Sequence, residues 1–444
     1  MLSAIEGVRD LVWGPWLIIF ILGTGLYLTF RLRGVQFRWL GYALRLVFTR
    51  RDEECEGDIS HFQALMTALA ATIGIGNIAG VAIALATGGV GALFWMIVAA
   101  LIGMATIYSE AFLAIRFRHR DKRDEMAGGP MYYIGEGLKW KWLAVIFAVA
   151  GAVAALATGN MVQANSITDV LVNQFGMERW MVGAVIAFLV AIVLLGGIKS
   201  IGRVAGVLVP VMAIVYLVGG LVIIILKLNQ LPAAIILILD SAFTGQAAVG
   251  GFLGSTVMLA LRLGVSRGLF ASEAGLGSSP IAAAAARTDT PGRQALINMT
   301  GAFLSVCVVC TITGLVIAVT QVIGTGMTGV PLTVAAFDSV IPYGSYIVMI
   351  GAALFGYSTM LGWAYYGERC TEYLFHAQSI WIYRALYVAV IIPGAVLQLE
   401  TVWGMADIAN AFMAVPNLIG LIGLSGLLAV ESRAFLEQVV QEES

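Results

Sequence analysis

Two glycine-rich stretches inside apolar segments have the clearest capacity for binding chemistry. Residues 70–80 (AATIGIGNIAG) place three glycines and an asparagine in the apolar segment 63–87, and residues 250–255 (GGFLGS) interrupt the segment 234–261. Glycine costs about 1 kcal/mol relative to alanine inside a helix, so both stretches favour an unwound backbone. Unwinding frees carbonyl oxygens, which can bind a cation, and N–H groups at the start of a half-helix, which can bind an anion. Together these groups suit a zwitterion and a small cation.

Close helix packing is the alternative explanation for glycines in a membrane segment. We favour packing for Gly88, Gly89, Gly196 and Gly197. At residues 74–77 we favour binding, because the asparagine amide in this stretch needs hydrogen-bond partners and stands at the interruption itself.

Three acidic residues in or beside apolar segments are functional candidates, because ionisable groups are costly in a membrane. Glu110 and Asp407 are the deepest, and each could carry a proton or pair with an arginine at a helix end. Glu273 could cap a helix or gate the inner mouth by pairing with Arg267 or Arg287. The sequence leaves these three roles open.

The composition places all these residues in a membrane protein. Of the 444 residues, 60% are hydrophobic and 11% are charged, whereas soluble domains have about 25% charged residues. A soluble core cannot absorb so much apolar surface. The composition therefore excludes a soluble enzyme, a nucleic-acid-binding protein and a disordered chain. It predicts an all-α membrane protein embedded in the lipid bilayer.

The hydropathy pattern predicts eleven transmembrane helices, each with about 20 apolar residues. The first is isolated from the others, and acidic residues in its leader argue against a cleavable signal peptide. The predicted spans are 11–30, 63–87, 92–115, 142–167, 181–196, 204–226, 234–261, 296–322, 345–370, 380–397 and 402–430.

The basic residues alternate between the two sides of these spans. Of the 25 Lys and Arg residues, 22 follow an odd-numbered span, and four of them (Arg262, Arg267, Arg287 and Arg293) lie between spans seven and eight. Because basic loops remain cytoplasmic, this pattern predicts an external N-terminus and a cytoplasmic C-terminus in the cell membrane.

The two interruptions predict an internal repeat. When the first span is set aside, ten remain, and each interruption falls in the first span of a group of five. Groups with an odd number of spans must be inverted relative to each other, which predicts a 5+5 inverted-repeat core with two discontinuous helices. The expected units are an N-terminal helix with a basic linker (1–58), two repeats (59–228 and 229–431) and a cytoplasmic tail (432–444).

Five groups of motifs resemble the alanine/glycine:cation symporters, also called the sodium:alanine symporter family. They lie within residues 55–430 and read GIGNIAGVA at 74–82, GGPMYYI at 128–134, RGLF, EAGLGS and PIA within 267–282, GW and YYGE within 362–368, and DIAN and PN within 407–417. The resemblance implies the leucine-transporter fold, with the first and sixth core helices unwound. It also implies sodium-driven uptake of alanine or glycine by alternating access.

The resemblance also implies a substrate site at the two helix breaks. The backbone around Gly74 would hold the substrate carboxylate, and the Asn77 side chain would face substrate and ion. The second break would receive the ammonium group, and Trp363 would limit the space beyond a methyl group. The expected substrate-binding residues are Thr72, Gly74, Ile75, Gly76, Asn77, Gln163, Gly251, Phe252, Thr359 and Trp363.

Sodium needs oxygen ligands, and two sets are available under this resemblance. One set is the carbonyls of Ala70 and Ile73 with the hydroxyls of Ser358 and Thr359. The other is the Thr72 carbonyl, the Asn77 amide oxygen and the substrate carboxylate itself. The expected metal ligands are therefore Ala70, Thr72, Ile73, Asn77, Ser358 and Thr359.

Three other functions are alternatives to a sodium symporter. A proton-coupled or uncoupled amino-acid carrier of the same fold differs only in its ion dependence. An intramembrane enzyme would need a nucleophile–base pair or a metal cluster, but His61, His119 and His376 lie in or near loops without metal-ligand spacing. A channel needs a continuous pore, whereas two broken helices around a small site suit alternating access better.

Overall fold

The structure is a computed structural model that describes residues 2–48, 56–244, 257–288 and 290–443. Within those residues the chain is mostly helical, and its one regular sheet is an antiparallel ribbon of β1 (His119–Arg120) and β2 (Met126–Ala127). The α-helices up to residue 244 are α1 (Leu2–Val12), α2 (Pro15–Arg31), α3 (Val35–Arg38), α4 (Leu40–Phe48), α5 (His61–Thr72), α6 (Ala79–Gly88), α7 (Ala92–Arg116), α8 (Pro130–Tyr132), α9 (Lys141–Leu156), α10 (Val162–Phe175), α11 (Arg179–Leu195), α12 (Gly197–Leu226) and α13 (Leu231–Thr244).

The remaining α-helices continue to the end of the described chain. They are α14 (Val257–Ser272), α15 (Ser279–Ala283), α16 (Pro291–Ala302), α17 (Thr311–Thr320), α18 (Gly329–Asp338), α19 (Gly344–Phe375), α20 (Ser379–Val396) and α21 (Leu399–Glu443). Short 3₁₀ and π segments join or extend these helices at Ile75–Asn77, Tyr133–Gly137, Ala157–Met161, Leu228–Gln230 and Phe303–Cys310.

Seven helical segments in the described residues are long and apolar enough to cross a membrane. The number becomes nine if each of two bent helix pairs counts as one span. One bent pair joins α1 and α2 at 40°, and the other joins α5 to the 3₁₀ turn and α6 at 58°. Shorter apolar helices follow at Arg179–Leu195, Leu228–Thr244 and Gly329–Asp338. The structure therefore has the helical, multi-span character that the sequence predicts.

The first predicted interruption separates α5 from α6. A capping box starts α5, because the Ser60 hydroxyl accepts from the Gln63 N–H and the Gln63 side chain accepts from the Ser60 N–H, both at 3.2 Å. After Thr72 the backbone becomes extended, with φ −128° and ψ −159° at Gly74. A single 3₁₀ turn then leads into α6, so the helix breaks at the glycines that the sequence singles out.

A second interruption lies between α14 and α15, at residues 273–278. Glu273, Gly275 and Gly277 have φ values of 58°, 85° and 74° in the left-handed region, which glycine adopts readily and other residues rarely. The predicted interruption at 250–255, with Gly251 and Phe252, lies outside the described residues. The predicted span 234–261 is represented by α13 and by α14, which continues to Ser272.

Two arginines lie at a different end of the molecule from the one predicted. Arg262 donates to Asp10 at 2.7 Å, and Arg267 pairs with Asp407, whose carbonyl accepts from the Trp13 indole at 2.9 Å. The prediction that Arg262 and Arg267 lie opposite the N-terminal residues is therefore wrong for these two side chains. The cause is the extension of α14 beyond the predicted end of the span.

Small residues let the helices around the first interruption approach closely. A methyl group on Gly362 of α19 would lie 2.7 Å from the Ala71 Cβ of α5. A methyl group on Gly356 would lie 2.7 Å from an Ile167 side-chain carbon of α10. The backbones of α5, α10 and α19 therefore meet at the level where α5 ends.

Candidate functional site

Asn77 connects the first helix break to its surroundings. Its side chain is fully buried, and its Oδ1 accepts a hydrogen bond from the Gly74 N–H at 3.0 Å. Its Nδ2 donates to the Ser305 carbonyl at 2.9 Å and to the Ser305 hydroxyl at 2.7 Å. The amide thus satisfies an unwound N–H on one side and fixes the break against the π-helical turn Phe303–Cys310 on the other.

The two glycines of the break contact side chains on three different helices, α10, α14 and α19. A Cβ on Gly74 would overlap the Thr359 hydroxyl oxygen and lie 3.3 Å from the Gln163 Oε1. A Cβ on Gly76 would lie 2.7 Å from the Phe270 ring. Glycine is required at both positions because the polar and aromatic side chains reach the backbone itself.

Gln163 holds the next backbone N–H of the unwound segment. Its Oε1 accepts from the Ile75 N–H at 3.2 Å, and its Nε2 donates to the Thr158 carbonyl at 3.0 Å. Thr158 lies in the π-helical turn Ala157–Met161, and its own hydroxyl donates to the Asn410 Oδ1 at 2.8 Å. The π turn therefore orients Gln163 towards the break and links it to α21.

Trp363 and Thr359 lie one turn apart on α19; Thr359 contacts the first break, and Trp363 contacts Gly159. Trp363 is 2% exposed, and a Cβ on Gly159 would overlap its side chain. Its ring meets Tyr366 edge to face at 5.5 Å. Gly159 lies one turn before Gln163, so Trp363 packs against the helical segment that leads into Gln163.

The carbonyl of Ala70 is the point where α5 and α19 exchange hydrogen bonds. The hydroxyls of Thr359 and Ser358 donate to this oxygen at 2.9 Å and 3.3 Å. The Ser358 hydroxyl also reaches the Phe355 carbonyl of its own helix at 3.0 Å. Three of the four oxygens predicted for the first sodium set therefore lie together, and Ile73 follows Ala70 at the end of α5.

The protein atoms of the second predicted set also converge. The Thr72 carbonyl and the Asn77 Oδ1 both accept from the Gly74 N–H, at 3.1 Å and 3.0 Å. The Thr72 hydroxyl donates instead to the Ala68 carbonyl at 2.6 Å, within its own helix. Thr72 thus offers its carbonyl to the break while its hydroxyl is used elsewhere.

A second cluster, which sequence reasoning missed, lies next to the break. Arg267 forms two hydrogen bonds with Asp407, at 3.0 Å and 2.8 Å, and its guanidinium lies 4.7 Å from the Trp403 ring centroid. Trp403 stacks on Phe270 at 4.9 Å, and Phe270 contacts Gly76. The RGLF and DIAN motifs contain both charged partners, but their separation of 140 positions hides the pairing.

This cluster borders a cavity of about 260 Å³ that opens beside the start of α6. The lining combines Ala79, the first residue after the break, with Trp403 and the turn before α18. Asp169 lies on its wall and pairs with Arg179. Trp403 therefore belongs both to the Arg267–Asp407 cluster and to the wall of this cavity.

The three acidic residues whose roles the sequence left open have different surroundings. Asp407 pairs with an arginine, as one of its two predicted roles required. Glu110 is fully buried and accepts from the Gly277 N–H at 3.2 Å and from the Asn417 amide at 2.5 Å. Glu273 is 1% exposed and accepts from the Ser278 hydroxyl at 2.7 Å, and it does not pair with Arg267. Both glutamates thus hold the second interruption.

Charged side chains in the loop between α7 and α8 pair with an arginine of α19. Arg369 of α19 donates to Asp121 at 2.9 Å and to Glu372 at 2.7 Å, and it also pairs with Glu125. Burial of the Asp121 carboxyl opposes its ionisation, but hydrogen bonds from the backbone N–H groups of Glu125 and Arg123, with the Arg369 guanidinium, lower its pKa to about 2. Asp121 is therefore ionised at neutral pH and fixes this loop against α19.

The site as a whole offers the groups that a small zwitterion requires. Unwound N–H groups and buried amides can hold a carboxylate, and carbonyl and hydroxyl oxygens can hold a cation; the Trp363 indole is buried one turn along α19 from Thr359. These groups lie inside a bundle of membrane-length helices. A broken helix at such a depth is tolerated where it is buried in protein or lines a cavity, and such breaks are typical of membrane transporters.

Solved structures share this fold. The crystal structure of MhsT in complex with L-phenylalanine matches with a TM-score of 0.60 at 15% identity, covering 83% of this chain and 89% of that one. A variant of the manganese transporter of Eremococcus coleocola matches with a TM-score of 0.55 at 14% identity, covering 84% and 82%. The fold is the leucine-transporter fold that the sequence motifs implied.

The sequence comparisons are more specific. The profile of the sodium:alanine symporter family matches residues 1–444. The sodium/alanine symporter AgcS of Methanococcus maripaludis is 52% identical over 444 residues, which cover 98% of this chain and 97% of that protein. The chain belongs to the sodium:alanine symporter family. It is a multi-pass membrane transporter and not an enzyme.

Proposed function

We propose that this protein is a sodium-coupled symporter that imports alanine and glycine across the cell membrane by alternating access. Family membership and the name of the 52% identical relative support amino-acid symport. The observation that carries the sodium assignment is the convergence of the Thr359 and Ser358 hydroxyls on the Ala70 carbonyl, at 2.9 Å and 3.3 Å. Uncharged oxygens from two helices suit a monovalent hard cation at this point.

The substrate is proposed to bind at the first break. Its carboxylate would accept hydrogen bonds from the N–H groups of residues 74–76 and would replace the Asn77 and Gln163 side-chain oxygens that accept from the Gly74 and Ile75 N–H groups. Thr359 and Trp363 would form the walls, and a buried indole there leaves room for little beyond a methyl group. The predicted contacts of Gly251 and Phe252 remain part of the proposal, and Phe270 is added because its ring lies against Gly76.

The topology is proposed to have eleven transmembrane helices, with an N-terminal helix (1–58) before a 5+5 inverted-repeat core. The two repeats would be 59–228 and 229–431, and residues 432–444 would form the cytoplasmic tail. The N-terminus would be outside. In this orientation the Arg267–Asp407 cluster would lie on the external side of the break and would control access from the 260 Å³ cavity.

The test is alanine uptake by purified protein in liposomes under an inward sodium gradient. We expect uptake with sodium and none when potassium replaces it, and a substrate panel should rank glycine and alanine above serine and leucine. Equal uptake in potassium would exclude sodium coupling. Thr359→Val should raise the half-saturating sodium concentration about tenfold, since it removes one ligand. Thr371→Val is the matched control, because the Thr371 hydroxyl bonds only within α19, to Gly367.

A proton-coupled or uncoupled carrier of the same fold is the second candidate. The observation in its favour is Glu110, which is fully buried and forms no ion pair within the described chain. A proton would neutralise such a carboxyl. Under this alternative, an inward proton gradient would drive alanine uptake in potassium-loaded liposomes and Glu110→Gln would abolish it, whereas the sodium proposal predicts no uptake under that gradient.

A further inference from the structure

Four arginines converge on a groove between the segment after α2 and the last turns of α21. The groove has a volume of about 360 Å³ and lies where α2 ends, between α3 and the last turns of α21. Its charged lining residues are Arg31, Arg33, Arg38, Arg433 and Glu437, which carry a net charge of +3.

None of the four guanidinium groups has a partner within the described residues. All four side chains are exposed, and they form no ion pair or hydrogen bond there. Glu431, two residues before Arg433 on α21, is already held by Arg116 at 3.0 Å. Four arginines with a single acidic residue among them leave a net positive charge in the groove, and this charge favours an anionic ligand.

The backbone creates this placement. α2 ends at Arg31, and two consecutive residues, Arg33 and Gly34, adopt left-handed φ values of 55° and 67°. Their N–H groups donate back to the carbonyls of Phe30 and Thr29, at 3.1 Å and 2.8 Å. This turn directs the chain back towards α21 and brings Arg38 and Trp39 to the groove.

The α21 side of the groove is firmly attached to the bundle. The Ser432 hydroxyl is buried and hydrogen-bonds the Tyr108 hydroxyl of α7 at 2.7 Å. The neighbouring positions that line the groove are Ala429, Leu436 and Val440, which are apolar. One wall is therefore hydrophobic and fixed, and the arginines surround it.

We propose that this groove, defined by Arg31, Arg33, Arg38, Arg433 and the apolar wall of α21, binds the headgroup of an anionic phospholipid. Guanidinium groups pair with a phosphodiester through two parallel N–H bonds. The groove lies at the polar end of two apolar helices, the level at which lipid headgroups lie, and Trp39 is the residue type enriched there. Leu436 and Val440 would accompany the first carbons of the acyl chains, which a soluble anion lacks. Basic pockets between membrane helices bind such lipids.

The test is native mass spectrometry of the delipidated full-length protein titrated with phosphatidylglycerol or phosphatidylcholine. We expect the first phosphatidylglycerol to bind at least about tenfold more tightly than phosphatidylcholine. The quadruple variant Arg31→Gln, Arg33→Gln, Arg38→Gln, Arg433→Gln should lose this preference. The control variant Lys122→Gln, Lys139→Gln, Lys141→Gln, Arg203→Gln removes the same charge from exposed residues outside the groove and should keep it.

Two further measurements complete the test. One distinguishes a lipid from a soluble anion, and the other uses a variant that keeps all four arginines. Inorganic phosphate at millimolar concentration should not displace the bound lipid, and complete displacement would assign the groove to a soluble anion. Glu437→Lys adds charge and should tighten phosphatidylglycerol binding. The proposal is overturned if the parent protein binds both lipids equally, if both quadruple variants lose the preference, or if Glu437→Lys leaves binding unchanged.

Discussion

One additional carbon atom at Gly74 should be enough to disrupt the proposed binding site. A Cβ there would overlap the Thr359 hydroxyl oxygen and approach the Gln163 Oε1 to 3.3 Å. The same methyl group would therefore disturb the proposed sodium ligand and the side chain that holds the Ile75 N–H. We therefore expect this overlap to distort the site while the rest of the fold is retained.

We predict that Gly74→Ala abolishes sodium-driven alanine uptake while the purified protein keeps its helical content. The measurement is proteoliposome uptake together with circular dichroism. Gly80→Ala is the matched control within the same motif, because a Cβ there meets its nearest atoms at 3.9 Å, an ordinary contact. Full uptake by Gly74→Ala, or equal loss in both variants, would contradict the proposed site.

At the scale of helices, the Arg267–Asp407 pair joins α14 to α21 beside the break. Both side chains are 7% exposed, so each charge depends on the other for its stability. Trp403 covers the guanidinium and stacks on Phe270, which in turn contacts Gly76. A change in the pair should therefore be transmitted to the first break through two aromatic rings.

We predict that Asp407→Asn lowers the free energy of unfolding by about 3–5 kcal/mol, because it leaves the Arg267 charge buried without a counter-charge. The double variant Arg267→Met, Asp407→Leu should recover most of this stability and should still lose transport. Chemical denaturation in detergent measures the first effect and uptake the second. Glu6→Gln, at an exposed acid, is the control and should stay within about 0.5 kcal/mol of the parent. A double variant no more stable than Asp407→Asn would argue against the charge explanation.

At the scale of the whole molecule, the proposed site joins α5, α10 and α19 with the turn Phe303–Cys310, which are far apart in the chain. A ligand that binds between them stabilises the native state over the unfolded state by mass action. Binding should therefore be visible in the unfolding of the entire bundle and not only in transport.

We predict that sodium and alanine together raise the melting temperature of the purified protein by several degrees at saturation, since about 100-fold excess over the dissociation constant contributes about 2.7 kcal/mol. Potassium and alanine together should leave the melting temperature unchanged. The Gly74→Ala variant should show no shift with either salt, and a shift of the same size in this variant would place the ligand elsewhere.

The sequence determined the helical, membrane-spanning character of the chain and the position of its first helix break. Apolar content and glycine spacing are local properties, so residues 74–77 could be located without a fold, and the motifs identified the family. For Asp407 the sequence left two possible roles, carrying a proton or pairing with an arginine, because pairing with Arg267 depends on which helices become neighbours.

Only the tertiary structure decided which side chains meet. It extended α14 to Ser272, moved Arg262 and Arg267 to the end that contains Asp10, and placed an interruption within the EAGLGS motif at 273–278, which had not been predicted as a helix break. It also brought Phe270 against Gly76 and gathered four arginines between α2 and α21. The physical reason is that hydrophobicity and backbone propensity act within a few residues, whereas ion pairs, ring stacking and close backbone approach depend on how distant helices pack.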